Sequence, residues 1–222
     1  MTHIFTENHA SIYLDDFNNG SWFGSLDTLE PRQGYWLRLS EDKPFLLETY
    51  RFIDYDEPLN YSLHYGNNLI SYIGKENYQI DDVLPDDVEN LFINIIGENA
   101  AATRLSNGQW AGSLATNGLE PLEGYWVNVL EDLDFSYTFS DNLARNNNVK
   151  IDVSRAGVPD EFYYTQSQNQ AFYFFKDIFL NEETITKDDW IIAFNNDIVV
   201  GARKWFGEFT EVPVMGYDGF DE

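Results

Sequence analysis

Short apolar runs, separated by clusters of Gly, Asn and Asp, dominate the chain. Residues 91–96 form one such run and predict a buried strand. An Asn-Gly pair at 107–108 separates two further strand-like runs, residues 102–105 and 109–114, and this dipeptide is a strong hairpin signal. Residues 125–139 predict another hairpin, across an acidic turn. The spacing therefore predicts a mostly β chain of α+β type, with antiparallel strands and short helical turns.

One long motif occurs twice in the chain. Residues 20–36 and 108–126 share the sequence Gly-x-Trp-x-Gly-Ser-Leu followed by Leu-Glu-Pro-x-x-Gly-Tyr-Trp, and the second copy carries two extra residues, Asn117 and Gly118. The similarity extends upstream, because Ile-Phe-Thr-Glu-Asn at 4–8 matches Ile-Ile-Gly-Glu-Asn at 95–99. Such self-similarity indicates a tandem repeat of one small α+β unit.

The repeat predicts how the chain is divided. Residues 51–140 hold a complete second repeat, whereas residues 1–50 hold a first repeat that we expect to be truncated at its N-terminus. Residues 141–150 are polar and Asn-rich, which predicts a linker. Residues 151–222 contain apolar runs separated by short turns, which predicts a β-sandwich-like module that is completed elsewhere at its C-terminal end. An uncovered sheet edge in the first repeat would lean on the second repeat or pair two chains as a homodimer.

The composition of the chain limits the classes of partner that it can bind. The chain has 38 acidic and 13 basic residues and a formal net charge of -25, which repels phosphate backbones and anionic lipids and predicts no nucleic-acid partner. No apolar run approaches the ~18 residues of a membrane span, so no membrane insertion is expected. The chain has no cysteine, which excludes disulfides, thiolate metal sites and cysteine nucleophiles. The aromatic content of 17% favours packed strands.

The repeated aromatic residues have two interpretations. A Trp buries a large apolar area, and a neighbouring Gly permits a close backbone approach, so the motif is typical of a packing signature. The same rings could instead form a platform for sugar rings. The residues concerned are Trp22, Tyr35, Trp36, Trp110, Tyr125 and Trp126.

No catalytic constellation is evident. The three histidines have no metal-ligand spacing, and neither a Gly-x-Ser-x-Gly elbow nor a Gly-rich phosphate loop occurs. We therefore predict no enzyme activity. Calcium is the one cofactor left open, because oxygen ligands cluster at several places, and Asp218 and Asp221 are the candidate ligands. None of these clusters follows the twelve-residue calcium loop, so surface carboxylates are the alternative interpretation.

Several motifs together resemble modules of long extracellular proteins of marine bacteria. These are the repeated motif, Gln-Ala-Phe-Tyr-Phe from residue 170, Asp-Trp-Ile-x-Ala-Phe-Asn from residue 189 and Val-Pro-Val-Met-Gly-x-Asp-Gly from residue 212. The resemblance implies repetition and a location outside the cell or on its surface, with no catalytic residues.

The sequence thus favours a non-catalytic structural or adhesive module of a larger secreted or cell-surface protein, with a protein or glycan partner. A carbohydrate-binding module that uses aromatic residues, with or without calcium, is the main alternative. Part of a polysaccharide hydrolase and part of a phage tail or fibre are the remaining interpretations.

Overall fold

The protein is mostly β, as the sequence predicts: 41% of it is strand and 10% helix, in several small antiparallel sheets. The computed structural model describes residues 3–14, 20–39, 58–139 and 148–219. The predictions for the rest of the first repeat, for most of the linker and for Asp221 lie outside these residues. Within the described ranges, no helix is long and apolar enough to cross a membrane.

The first repeat forms a four-stranded antiparallel sheet. Its strands are β1 (His3–Phe5), β2 (Ala10–Leu14), β3 (Ser21–Gly24) and β4 (Trp36–Arg38). Their order in the sheet is β3-β2-β1-β4. The central strands bury Ile4 and Ser11, which lie opposite each other.

The second repeat adds strands and two short helices around the main hydrophobic core. Its elements are β5 (Tyr61–Leu63), β6 (Gly66–Ser71), α1 (Ile80–Val83), a 3-10 turn (Glu89–Leu91), β7 (Phe92–Ile96), β8 (Ala101–Arg104), β9 (Trp110–Ala111), α2 (Ser113–Asn117), β10 (Gly124–Val129) and β11 (Leu133–Phe135). The main sheet has the order β6-β10-β7-β8-β9, and β5 pairs with β11. Tyr61, Ile80, Phe92 and Phe135 belong to one continuous core cluster against this sheet.

Two sequence predictions in this repeat are wrong. The predicted hairpin at 125–139 does not form, because β10 already pairs with β6 on one edge and β7 on the other, so β11 pairs with β5 instead. The predicted strand at 109–114 ends at Ala111, because Gly112 has a φ of 111° and turns the chain into α2. The strand predicted at 91–96 is confirmed by β7.

The two repeats share one sheet topology and one register. The order β3-β2-β1-β4 corresponds to β9-β8-β7-β10. Ile4 pairs with Leu37 in the first repeat, and Ile95 pairs with Val127 at the equivalent position of the second. Tyr13 pairs with Trp22 where Arg104 pairs with Trp110. The sequence repeat is therefore a structural repeat, strand by strand.

The first repeat contacts the second along the outer edge of β6. Gln33 bridges to Ile70, the Gly34 N–H donates to the Leu69 carbonyl at 3.1 Å, and the Ser71 N–H donates to the Arg32 carbonyl at 3.1 Å. The expectation that the first repeat leans on the second is confirmed by these backbone contacts.

The C-terminal module consists of antiparallel strand pairs. It begins with two 3-10 turns, Arg155–Gly157 and Asp160–Phe162. Its strands are β12 (Gln170–Phe175), β13 (Phe179–Leu180), β14 (Glu183–Thr184), β15 (Trp190–Asn195), β16 (Ile198–Lys204) and β17 (Thr210–Met215). The last strand returns to the first of them, so the pairs are β12 with β17, β13 with β14, and β15 with β16.

The two larger pairs of this module share one small core. Tyr164, Ala202 and Met215 are buried in it, and side chains of β15 pack against them. At Gly201 the backbones of β16 and β17 nearly touch: a β-carbon there would lie 1.7 Å from the Pro213 carbonyl oxygen. A side chain of any size at this position would push the two strands apart.

Candidate functional site

The repeated Tyr closes its own loop in both repeats. The Glu30 N–H donates to the Tyr35 hydroxyl at 2.6 Å, and the Glu120 N–H donates to the Tyr125 hydroxyl at 2.9 Å. Burial raises the pKa of both tyrosines. The Leu-Glu-Pro-x-x-Gly-Tyr motif is therefore a loop whose ends the hydroxyl joins, and Tyr125 is buried in the core.

The first Trp of the motif has different surroundings in the two copies. The Trp110 indole N–H donates to Glu89 Oε1 at 2.6 Å, and its half-buried ring packs against the core. Trp22 is 42% exposed and has the Tyr13 ring 5.3 Å away. The two equivalent rings thus differ in what they could offer a ligand, since the Trp110 edge is already occupied.

The second Trp of each copy lies on the opposite face of its strand from the neighbouring Tyr, because successive side chains alternate. Trp36 and Trp126 are both half-buried. The six aromatic candidates are therefore spread over two faces of two sheets and do not form one continuous platform.

Of these six residues, Tyr35 and Trp36 line one sizeable cleft together. This cleft has a volume of about 620 Å³ and lies where both repeats and the C-terminal module meet. Apolar and polar side chains both contribute to its wall, among them Tyr163, Arg155, Gln166 and Asp218. The Gln166 Oε1 atom is buried and accepts no hydrogen bond within the described protein.

A second cleft of about 790 Å³ shares part of its wall with the first. Glu98, Glu123, Arg155 and Tyr163 line both. Partial loss of hydration raises the pKa of Glu123, and the nearby Glu98 carboxylate raises it further. Asn99 also lines this cleft, and its buried Oδ1 likewise has no partner in the described ranges. The combined groove offers the Glu98 and Glu123 carboxylates as acceptors to a ligand rich in hydroxyl donors.

One of the two calcium candidates lies within the described residues. Asp218 lies in the wall of the first cleft, and Asp221 lies outside the described residues. Across the part of the chain that the structure describes, no group of three or more His, Cys, Asp or Glu residues could hold a metal ion. The calcium hypothesis therefore receives no geometric support from these residues.

The most deeply buried charges join the second repeat to the C-terminal module. Glu211 is fully buried in β17; its Oε2 accepts the Ser113 N–H at 2.9 Å, and its Oε1 accepts the Ser113 hydroxyl. An Arg203 guanidinium nitrogen lies 3.8 Å from Glu211 Oε1, and the same nitrogen donates to the Asn99 carbonyl. Burial raises the pKa of Glu211, although Arg203 and Ser113 favour its charged form.

The geometry of this buried cluster indicates a structural role. Ser113 and Glu211 are 0% exposed and Arg203 is 4% exposed, so no substrate can reach them from solvent. Neither Glu211 nor Arg203 is among the site residues predicted from the sequence. The available signal was an acid directly before the apolar run Val212-Pro213-Val214, since a buried acid needs a buried partner.

One ion pair also joins the two repeats. His64 Nε2 lies 2.5 Å from Glu7 Oε1, and Glu7 Oε2 accepts the Leu69 N–H at 3.4 Å. The Glu7 carboxylate raises the pKa of His64. His64 is not among the site residues predicted from the sequence, because its partner is 57 positions away.

Comparison with known proteins gave no relative: no family model, no curated protein and no solved structure matches the chain.

Proposed function

We propose that the chain is a non-catalytic structural or adhesive module of a larger secreted or cell-surface protein. One observation supports this most directly: the residues that the repeat keeps are engaged in packing and loop closure. Tyr35 and Tyr125 hold equivalent loops, and Gly34 and Gly124 lie against each other where the repeats meet. A unit whose repeated residues build contacts between neighbours is typical of a protein that spaces or presents domains.

The location of the parent protein is part of this proposal. Acidic surfaces keep an extended repeat protein soluble and reduce non-specific contact with anionic polymers. The partner on this proposal is another protein at a surface, and no nucleic acid is expected.

A carbohydrate-binding module is the second candidate, and the groove favours it. Tyr35, Trp36 and Tyr163 supply aromatic surface, and the Glu98 and Glu123 carboxylates line the same groove. Sugars combine apolar ring faces with hydroxyl donors, so such a wall suits them.

One experiment separates the two candidates. The protein is titrated with a panel of soluble polysaccharides, with and without calcium, by calorimetry and tryptophan fluorescence. The structural proposal expects no saturable binding and no release of reducing ends. Saturable binding that Tyr163→Ala removes would support the glycan candidate. Tyr173→Ala is the matched control, because Tyr173 is 58% exposed, Tyr163 is 57% exposed, and Tyr173 lies outside the groove.

Turnover of any polysaccharide would overturn both candidates in favour of a hydrolase. The measurement is reducing-end release by the wild-type protein over the same panel. An adhesive role is tested separately by immobilising the protein and measuring its retention of cells or of purified surface proteins. Retention that persists after the groove variants would support an adhesive surface elsewhere on the module.

A further inference from the structure

A small set of residues in the first repeat holds a strand of the second. The Arg32 carbonyl accepts a backbone hydrogen bond from β6, and the Gly34 N–H donates one to it, each at 3.1 Å. Glu7 Oε2 accepts the Leu69 N–H of β6 at 3.4 Å, and Glu7 Oε1 lies 2.5 Å from Nε2 of His64. We call Glu7, Arg32 and Gly34 the strand-binding residues. They bind a strand edge by its backbone and by one basic side chain that precedes it.

The second repeat has counterparts of these residues. Glu98 is the equivalent of Glu7, because each lies two positions after the residue that pairs with the second Trp of its motif. The motif makes Leu122 the counterpart of Arg32, and its glycine is Gly124. The same backbone hydrogen bond closes the Glu-Pro turn before this glycine, at 3.1 Å in the first repeat and 3.3 Å in the second. We call Glu98, Leu122 and Gly124 the counterpart residues.

The backbone of the counterpart residues is directed away from β6. The Glu123 carbonyl accepts the Tyr72 N–H, so position 123 faces the β6 side. Neighbouring residues of an antiparallel strand direct their hydrogen-bonding groups to opposite edges, so Leu122 and Gly124 face the edge beyond the end of β7. Glu98 lies at that end, in the turn from β7 to β8. In the first repeat, β6 pairs at the equivalent place, beyond the end of β1.

The counterpart residues line the groove instead of holding a strand. Glu98, Leu122 and Gly124 all belong to the wall of the cleft of about 620 Å³. Within the described ranges, no backbone hydrogen bond joins Leu122 or Gly124 to the C-terminal module, and Glu98 accepts no hydrogen bond. Leu122 is 80% exposed and has a φ of 70°, which is unfavourable for a residue with a β-carbon. These residues are therefore accessible to a ligand from solvent.

We propose that the counterpart residues bind an extended segment of a basic partner protein, with a Lys, Arg or His side chain of the segment on Glu98. The equivalent residues of the first repeat bind β6 and His64 in this way. Addition of a strand to an exposed backbone edge is a general mode of peptide recognition. This inference rests on the proposed adhesive role and deepens it by naming the chemistry of the protein partner.

The charge of the protein favours a basic partner. The Glu98 and Glu123 carboxylates both line the groove, and the chain has a formal net charge of -25, so a cationic segment is attracted to it. A second copy of the chain cannot supply its own β6, because one edge of β6 pairs with β10 and the other with Gln33 and Gly34. The partner is therefore a different polypeptide.

The test uses a synthetic peptide of residues 64–71 that carries His64→Lys, with both ends blocked so that the lysine is its only charge. The whole protein is titrated with this peptide by calorimetry. We expect saturable binding that weakens as the ionic strength rises, because salt screens the contact between the lysine and the carboxylates. The same peptide with His64→Gln should bind about tenfold more weakly, since it loses the charge-assisted hydrogen bond to Glu98.

Variants of the protein locate the site. Glu98→Gln should weaken binding of the lysine peptide about tenfold and abolish its advantage over the glutamine peptide. Glu7→Gln is the matched control, because Glu7 is the equivalent acid and already binds His64, and it should leave peptide binding unchanged. Leu122→Gly should weaken binding while the melting temperature stays the same or rises, because glycine adopts a positive φ without strain. Misfolding cannot explain a loss of that kind.

Four results would overturn the proposal. One is the absence of saturable binding by the lysine peptide. Another is equal binding by the wild-type protein and Glu98→Gln. The third is a loss in Glu7→Gln as large as that in Glu98→Gln, because the peptide would then displace β6 from the first repeat. The fourth is a polysaccharide that binds the groove through Glu98 and excludes the peptide, which would favour a glycan ligand. Turnover of a polysaccharide would overturn the proposed function, whereas failure of the peptide to bind leaves a structural module in place.

Discussion

Gly34 and Gly124 occupy the same position in the two copies of one motif, and they lie against each other where the repeats meet. A β-carbon on Gly124 would be 3.2 Å from the Gly34 α-carbon, and one on Gly34 would be 2.7 Å from the Ile70 carbonyl oxygen. The absence of a side chain at both positions thus brings the backbone of the first repeat close enough to pair with β6.

Gly34→Ala should therefore weaken the contact between the repeats. We expect a loss of about 1–3 kcal/mol in the free energy of unfolding, because the new methyl group meets backbone that cannot move aside cheaply. Urea denaturation measures the loss, and faster hydrogen exchange of the Ser71 amide would place it at this contact. Gly157→Ala is the control, because the nearest atom to its β-carbon, a carboxylate oxygen, is 3.9 Å away. Equal stability of both variants would contradict the prediction.

The Tyr125 hydroxyl should stabilise the fold more than its counterpart in the first repeat. Tyr125→Phe leaves the Glu120 N–H without its acceptor beside a buried ring, which we expect to cost about 1–2 kcal/mol. Tyr35→Phe should cost less, because the Glu30 N–H is exposed and can bind water. Thermal unfolding compares both with Tyr217→Phe, whose ring is 76% exposed. A larger loss of stability in Tyr35→Phe than in Tyr125→Phe would contradict this prediction.

Removing one partner of the buried ion pair should be strongly destabilising. Glu211→Ala leaves the Arg203 guanidinium buried without a carboxylate and the Ser113 N–H without an acceptor, so we expect a loss of about 3–5 kcal/mol. Chemical denaturation measures it. The double variant Arg203→Met with Glu211→Leu should recover part of the loss, since no uncompensated charge remains. A double variant less stable than Glu211→Ala would contradict this account.

The contact between His64 and Glu7 should depend on pH. The folded-state pKa of His64 is raised above the ordinary value of about 6.5, because Glu7 accepts its hydrogen bond. Its stabilisation is therefore fully present below about pH 6.5 and is lost as the pH rises through the raised pKa. NMR titration of His64 should show a lower pKa in Glu7→Gln and no change in Glu183→Gln, an exposed glutamate of the C-terminal module. An unchanged pKa in Glu7→Gln would remove Glu7 as the cause.

The repeat was the most informative feature of the sequence. Matching Ile4 to Ile95 and Trp36 to Trp126 by sequence predicted which strands are equivalent, and the strand registers confirm it. The reason is physical: a β-strand alternates its faces, so residues kept at the same positions keep the same side of the sheet. The strand at 91–96 was predicted from a different signal, its short apolar run.

Partner choice between strands could not be predicted in this way. The run at 133–135 has strand composition, but whether it returns to β10 or reaches β5 depends on which edges are already occupied. The candidate site shows the same difficulty. The aromatic residues were visible in the sequence, but Tyr163, Gln166 and Arg155, which complete the groove, come from a segment distant in sequence.

The two copies of the Gly-Ser-Leu motif show that identical residues can make different contacts. Ser113 binds the Glu211 carboxylate of the C-terminal module, whereas the equivalent Ser25 accepts the Ala10 N–H at 3.3 Å on an exposed surface. What lies opposite the motif decides its role, and the motif alone carries no information about that.

The link between Ser113 and Glu211 also determines how the chain would carry a mechanical load. The two residues are 98 positions apart in sequence, and their side chains close that distance without a covalent bond. Tension that pulls Ser113 and Glu211 apart must break this contact before the polypeptide between them can extend. That stretch has a contour length of roughly 330 Å when extended. The buried Glu211 carboxylate thus holds this stretch closed, and the stretch lengthens the molecule only after the contact with Ser113 breaks.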